Sequence, residues 1–122
     1  MSDRAPSSSG EAVQAQLAKL RKKYGLSLPD KIAGIEAAVA ALGPTWEEPA
    51  SSTAYRQVHS LAGSSGTYGF PDISGIARAA EAILRTSLEA RCALPAADRA
   101  RIAEMLGRLR EMAADAARQV SG

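Results

Sequence analysis

A chain of 122 residues is long enough for one domain with a continuous core and too short for two. Apolar residues make up 46% of it and aromatics only 4%, with alanine prominent, which favours close-packed helices and predicts an all-α fold. Fifteen Lys and Arg against thirteen Asp and Glu leave a formal charge of +2, too weak and too scattered for a nucleic-acid partner.

Residues 1–10, ending Pro6-Ser7-Ser8-Ser9-Gly10, are small and polar and read as a flexible tail ahead of a domain spanning 11–122. The start carries no apolar signal region, and no run approaches the roughly 20 apolar residues of a membrane span, so a cytoplasmic protein with no membrane partner is expected. A first helix is expected from about Glu11 to Tyr24, with Val13, Leu17, Leu20 and Tyr24 on one face and Gly25 stopping it. The basic run Arg21-Lys22-Lys23 points in different directions on such a helix and reads as a solvated face. Ser27-Leu28-Pro29-Asp30 reads as the start of a second helix, with the stripe Ile32, Ile35, Val39 and Leu42, ended by Gly43-Pro44.

The segment to Ala50 reads as a loop holding Pro49, with Trp46 as a lid over the bundle end. A third helix is expected from Ser52 or Thr53 to about Tyr68, where Gly69 breaks it. Phe70-Pro71-Asp72 opens a fourth, with Ile73, Ile76, Ala80, Ile83 and Leu84 inward. Pro95 begins a fifth, with the stripe Ile102, Met105, Leu106, Leu109 and Met112. Short connections between amphipathic helices force antiparallel neighbours, so the expected architecture is an up-down four-helix bundle with an additional helix. No heptad seam is sustained, which favours a monomer. Cys92 is the sole cysteine, so neither an internal disulfide nor a thiolate metal cluster can form, and no metal site is expected.

The chemically informative stretch is His59-Ser60-Leu61-Ala62-Gly63-Ser64-Ser65-Gly66-Thr67-Tyr68-Gly69-Phe70. Each interior glycine costs a helix about 1 kcal/mol relative to alanine, so Gly63 and Gly66 need a reason. The core stripe here is Ala54, Val58, Leu61, Ser65 and Tyr68, and His59 lies about 100° from Val58, beside the core face. Its neighbours three and four positions away are Tyr55, Arg56, Ala62 and Gly63, with Gly66 a turn further, so the C-terminal side of the imidazole is nearly bare. A large partner surface can reach it there. An imidazole, with an ordinary pKa of roughly 6.5, keeps a neutral nucleophilic nitrogen near neutral pH. Phosphoryl transfer asks mainly for in-line positioning and charge stabilisation, which a partner can share.

His59, Leu61, Gly63 and Gly69, with Ile73 after the turn, resemble the signature of histidine-containing phosphotransfer (HPt) domains, the intermediate carriers of bacterial phosphorelays. Leu61, Gly69, Phe70 and Ile73 are then the structural part of the motif, and Glu81 stands where the family often has an acidic residue. The resemblance implies a phosphoryl group carried on the outer ring nitrogen of His59 between aspartates of response-regulator receiver domains, with a hybrid kinase as a further partner. It also implies Mg2+ bound by the receiver and no cofactor or autokinase activity in the carrier itself. The family's basic residue three positions after the histidine is Ala62 here, and Arg56 or Arg78 is the candidate to replace its charge. Tyr55, Arg56, Ala62, Gly63, Gly66 and Arg78 are thus the candidate phosphate-contact and docking positions.

Blander readings stand beside this one. Gly63 and Gly66 can serve close helix contact, Ser64, Ser65 and Thr67 can bond to the preceding turn, and Glu81 reads more readily as a structural or surface charge than as a catalyst. A kinase dimerisation domain also shows a histidine on a helical hairpin, but an acidic residue usually follows that histidine directly, where this chain has Ser60. A non-catalytic helical adaptor would keep the bundle without needing an exposed His59.

Overall fold

Four helices account for nearly all of residues 4–121, the part of the chain that the structure, a computed structural model, describes. They are α1 (Arg4–Ala40), α2 (Glu48–Thr67), α3 (Pro71–Ala90) and α4 (Ala96–Ser121). Each packs against its two neighbours around the bundle: α2 most closely against α3, α1 most closely against α4. All neighbours run antiparallel. Tyr24 meets Ser64 while Gly34 lies beside Gln57, and Gly25 lies against Val120 while Arg99 reaches the carbonyls of Leu42 and Gly43 at the opposite end.

The expected additional helix is absent, because the two helices expected before residue 43 are one, the 37-residue α1, with Pro29 inside it. An interior proline removes one backbone hydrogen bond and costs about 3 kcal/mol. Against that, Tyr24, Leu28, Ile32 and Ile35 form one buried stripe that runs through the proline without a change of phase. Burying each such side chain contributes roughly 1.5–3 kcal/mol, so the stripe outweighs the missing bond. Gly25 does not stop the helix either. A Cβ there would lie 2.9 Å from Val120 Cγ2 and 3.3 Å from Phe70 Cζ, so the glycine admits the end of α4.

Continuity changes the role of the first expected stripe. Val13 and Leu17 are 57% and 52% exposed, since α4 ends opposite Gly25 and the α2–α3 turn lies opposite Arg21. The N-terminal part of α1 therefore extends past the other three helices. Of the segment read as a tail, residues 1–3 lie outside the described residues, and the helix is already present from Arg4.

The other boundaries move less. Helix α2 starts at Glu48, with Pro49 in its first turn rather than in the preceding loop, a place where no N–H is needed. Its C-terminus is a Schellman motif: the N–H of Gly69 bonds the carbonyl of Gly66, the N–H of Phe70 bonds that of Ser65, and Gly69 takes a φ of 86°. Trp46 covers the opposite end of the bundle beside Leu42, Ala50, Ser51 and Leu94, with the Arg91 guanidinium 4.4 Å above its ring. Among the described residues, no helix is long and apolar enough to cross a membrane.

Small residues set the spacing of α2 and α3. Ala54, Ala62, Ser65, Ala77 and Ala80 are all buried between helices, and Ser74 Oγ donates to the Ala62 carbonyl at 2.7 Å. Such side chains let the two backbones approach closely. That spacing brings the middle of α3 within reach of the middle of α2.

Candidate functional site

His59 sits midway along α2, one position after buried Val58, and its side chain is 64% exposed. Of the expected core stripe, Ala54, Val58, Leu61 and Ser65 are buried and Tyr68, at the helix C-cap, is partly buried, which fixes the rotation of the helix and turns His59 toward its edge. Across from it on α3, Glu81 lies in the same turn as buried Ala80 and Leu84, and its side chain is only 6% exposed. His59 Nδ1 and Glu81 Oε2 are 2.7 Å apart.

The same carboxylate oxygen is 2.8 Å from Arg85 Nη2, one turn along α3, and 3.4 Å from the Tyr55 hydroxyl. Glu81 is held below the usual carboxylate range, chiefly by the hydrogen bond from His59; burial opposes this, and the nearby charges of His59 and Arg85 reinforce it. An ionised carboxylate accepts hydrogen bonds and cannot donate, so Nδ1 carries the proton in this pair. In the neutral ring the lone pair then resides on Nε2, the nitrogen away from the buried carboxylate. The Tyr55 ring stacks on the imidazole at 5.8 Å with 19° between planes, fixing the plane that Glu81 has oriented.

The sequence-derived candidates scatter around this centre. Tyr55 belongs to it directly. Gly63 is exposed, and a Cβ built there would have nothing within 4 Å, so the approach on the C-terminal side of His59 is open. Gly66 differs: its Cβ would lie 3.2 Å from Ser74 Oγ, so that glycine serves the α2–α3 contact. Ala62 is buried, and it is its carbonyl, not its side chain, that is engaged, with Ser74. Arg56 and Arg78 are exposed and form no ion pair among the described residues; Arg78 stands one turn before Glu81, alongside the Ala62–Gly63 turn. Leu61, Phe70 and Ile73 are buried, and Gly69 makes the turn that aligns α3 with α2. Ser64, Ser65 and Thr67 each donate to the carbonyl four residues earlier.

Two members of the site were under-read in the sequence. Glu81 is a buried partner of the imidazole rather than a surface charge, and Arg85 went unnoticed. The available signal was the i, i+4 spacing of Glu81 and Arg85, together with the antiparallel register that sets residue 85 beside residue 55.

The antiparallel four-helix bundle thus presents one exposed imidazole from mid-helix, backed by a buried carboxylate and open to a partner surface. The chain matches the family model of the Hpt domain over residues 12–117 and is a member of that family, which acts by histidine phosphotransfer in phosphorelays and interacts there with receiver domains. No match was found to a curated protein or to a solved structure.

Proposed function

We propose that His59 is the phosphorylated residue, and that this chain relays a phosphoryl group between aspartates of receiver domains. The observation that carries the reading is the exposed imidazole whose Nδ1 is bound to buried Glu81 at 2.7 Å. The Nε2 lone pair attacks the phosphorus of an aspartyl phosphate on the receiver. An N–P bond forms, the P–O bond to the aspartate breaks, and the carboxylate leaves with the electron pair. Nδ1 keeps its proton throughout, so the phosphorylated ring is cationic and its charge falls against the Glu81 carboxylate. Charge stabilised where it develops is the main source of rate in such transfers. The reverse step returns the phosphoryl group to an aspartate of the next receiver.

Mg2+ belongs, in this reading, to the acidic pocket of the receiver, and this chain contributes only the imidazole and its supports. Either Arg56 or Arg78, both exposed, supplies positive charge to the phosphoryl oxygens in place of the basic side chain that Ala62 lacks. Incubation with a phosphorylated receiver domain tests the whole reading. Acid-labile, alkali-stable label is expected on the wild type and absent from His59→Gln. Label persisting on the variant removes His59 as carrier. In the same assay, unchanged transfer and unchanged phosphohistidine lifetime in both Arg56→Ala and Arg78→Ala remove the proposed charge compensation.

A further inference from the structure

Glu81 is surrounded by more than its histidine. Arg85 Nη2 lies 2.8 Å from Glu81 Oε2 and 3.4 Å from the Tyr55 hydroxyl, and that hydroxyl is 3.4 Å from the same carboxylate oxygen. The Arg85 guanidinium carbon stands 5.8 Å from the centroid of the Tyr55 ring, which in turn stacks on His59. The imidazole is thus restrained twice, at Nδ1 by Glu81 and in its plane by Tyr55. Arg85 touches both restraints.

We propose that Arg85 is a positioning residue of this site, acting through Glu81 and Tyr55 to keep the His59 proton on Nδ1 and Nε2 free. The proposal rests on the reading of His59 as the carrier. Its physical basis is the position of Glu81: Oε2, on a side chain only 6% exposed, accepts from His59 Nδ1 and Arg85 Nη2 at once, so the guanidinium fixes where the acceptor of the imidazole proton sits. A neutral imidazole offers a hydrogen bond but no full charge, whereas the guanidinium is permanently charged. The titratable groups in contact with Glu81 are Tyr55 and His59 on α2 and Arg85 on α3. Among the described residues, no charged group of α1 or α4 pairs with it, and Arg78, one turn earlier on α3, forms no ion pair.

Removing Arg85 takes away a donor shared by the Glu81 carboxylate and the Tyr55 hydroxyl, so neither is held in place beside the ring. A carboxylate free to turn away no longer holds the proton on Nδ1, and the ring proton becomes free to reside on Nε2, where it blocks nucleophilic attack. Arg85 is itself 49% exposed, so its loss opens no cavity in the core.

His59 is the only histidine in the chain, so the 15N resonances of one imidazole report its tautomer without interference. In the wild type at pH 8 the Nδ1–H form is expected to dominate. Arg85→Ala is expected to move both resonances toward those of a free imidazole and to slow phosphoryl uptake from a phosphorylated receiver about three- to tenfold, the loss of one charge-assisted hydrogen bond discounted for solvent exposure. Arg85→Lys, which keeps the charge, should restore most of both; Arg85→Met, which keeps the stem and loses the charge, should not, and serves if the alanine variant fails to fold. Wild-type 15N resonances and transfer rates in Arg85→Met overturn the proposal. If the tautomer follows Arg85 but His59 never takes a phosphoryl group, the carrier reading fails and the positioning role stands; if His59 is phosphorylated and Arg85 moves neither readout, the positioning role fails alone.

Discussion

Gly63 and Gly66 are the same residue type three positions apart and do opposite things. Gly66 has Ser74 Oγ 3.2 Å from where its Cβ would sit, whereas Gly63 has open space. Gly63→Ala is therefore expected to raise stability by about 1 kcal/mol in urea unfolding, the ordinary gain for replacing an exposed mid-helix glycine. The added methyl stands one turn from His59 on the path of a docking partner, so the same variant should transfer phosphate more slowly. A variant that gained stability and kept full transfer would show that the cleared approach is not used. Glu81 supplies a second residue-level prediction. Its carboxyl is depressed in the folded state, so its contribution is present above the ordinary carboxylate pKa of about 4.3 and disappears as pH falls through the lower folded value. The stability difference between wild type and Glu81→Gln should therefore be about 1 kcal/mol at pH 7, limited by the exposure of His59 and Arg85, and should shrink from about pH 5 downward. A difference that stayed constant from pH 7 to pH 3 would contradict the assignment of Glu81 as ionised. The position of His59 was legible in the sequence because it follows from helical phase alone. The role of Glu81 was not, because it depends on how closely α3 approaches α2, and that distance is set in part by Ala62, Ser74 and Ala77, residues that a search for large apolar stripes passes over.

At the scale of elements, the reading of α2, α3 and α4 from periodicity held within a few residues, and that of α1 did not. Gly25 followed by Pro29 has the look of a helix end and a new beginning, and local sequence has no means of weighing that punctuation against a stripe of Tyr24, Leu28, Ile32 and Ile35 buried against two other helices. Tertiary burial overrides propensity here. The proline still has its cost, and it can be measured. Pro29 is exposed, so Pro29→Ala removes no packing and restores an N–H to the helix. Part of that gain is offset by the freer unfolded chain, leaving an expected net stabilisation of about 1–2 kcal/mol in urea unfolding, with unchanged helical content by circular dichroism. A variant less stable than wild type would show that Pro29 favours the native helix, by restricting the unfolded chain, rather than merely being tolerated by it.

The whole molecule combines a closed bundle with an unsupported overhang. Helix α1 is about 55 Å long, α4 about 39 Å and α2 and α3 about 30 Å each, so roughly a third of α1 extends past its longest neighbour. The apolar residues on that third, Val13 and Leu17, are more than half exposed, while Leu28 and Ile32 on the same helix are fully buried. A single periodic stripe in the sequence thus spans two environments, and nothing in its spacing marks where the neighbours end. Stability should mark it. Val13→Ser with Leu17→Ser is expected to leave unfolding free energy within about 0.5 kcal/mol of wild type, as for other surface substitutions. Ile32→Ala should cost about 2–5 kcal/mol, because it opens a cavity where all the surrounding atoms are already packed. The overhang begins more than a turn beyond the level of Tyr24, and His59, between Gln57 and Ser64 in α2, lies level with the stretch of α1 between Tyr24 and Gly34, so the double serine variant should also accept a phosphoryl group at the wild-type rate in isolation. If the double variant lost as much stability as Ile32→Ala, Val13 and Leu17 would have to be covered in solution, and the boundary between bundle and overhang would lie at least two turns nearer the N-terminus.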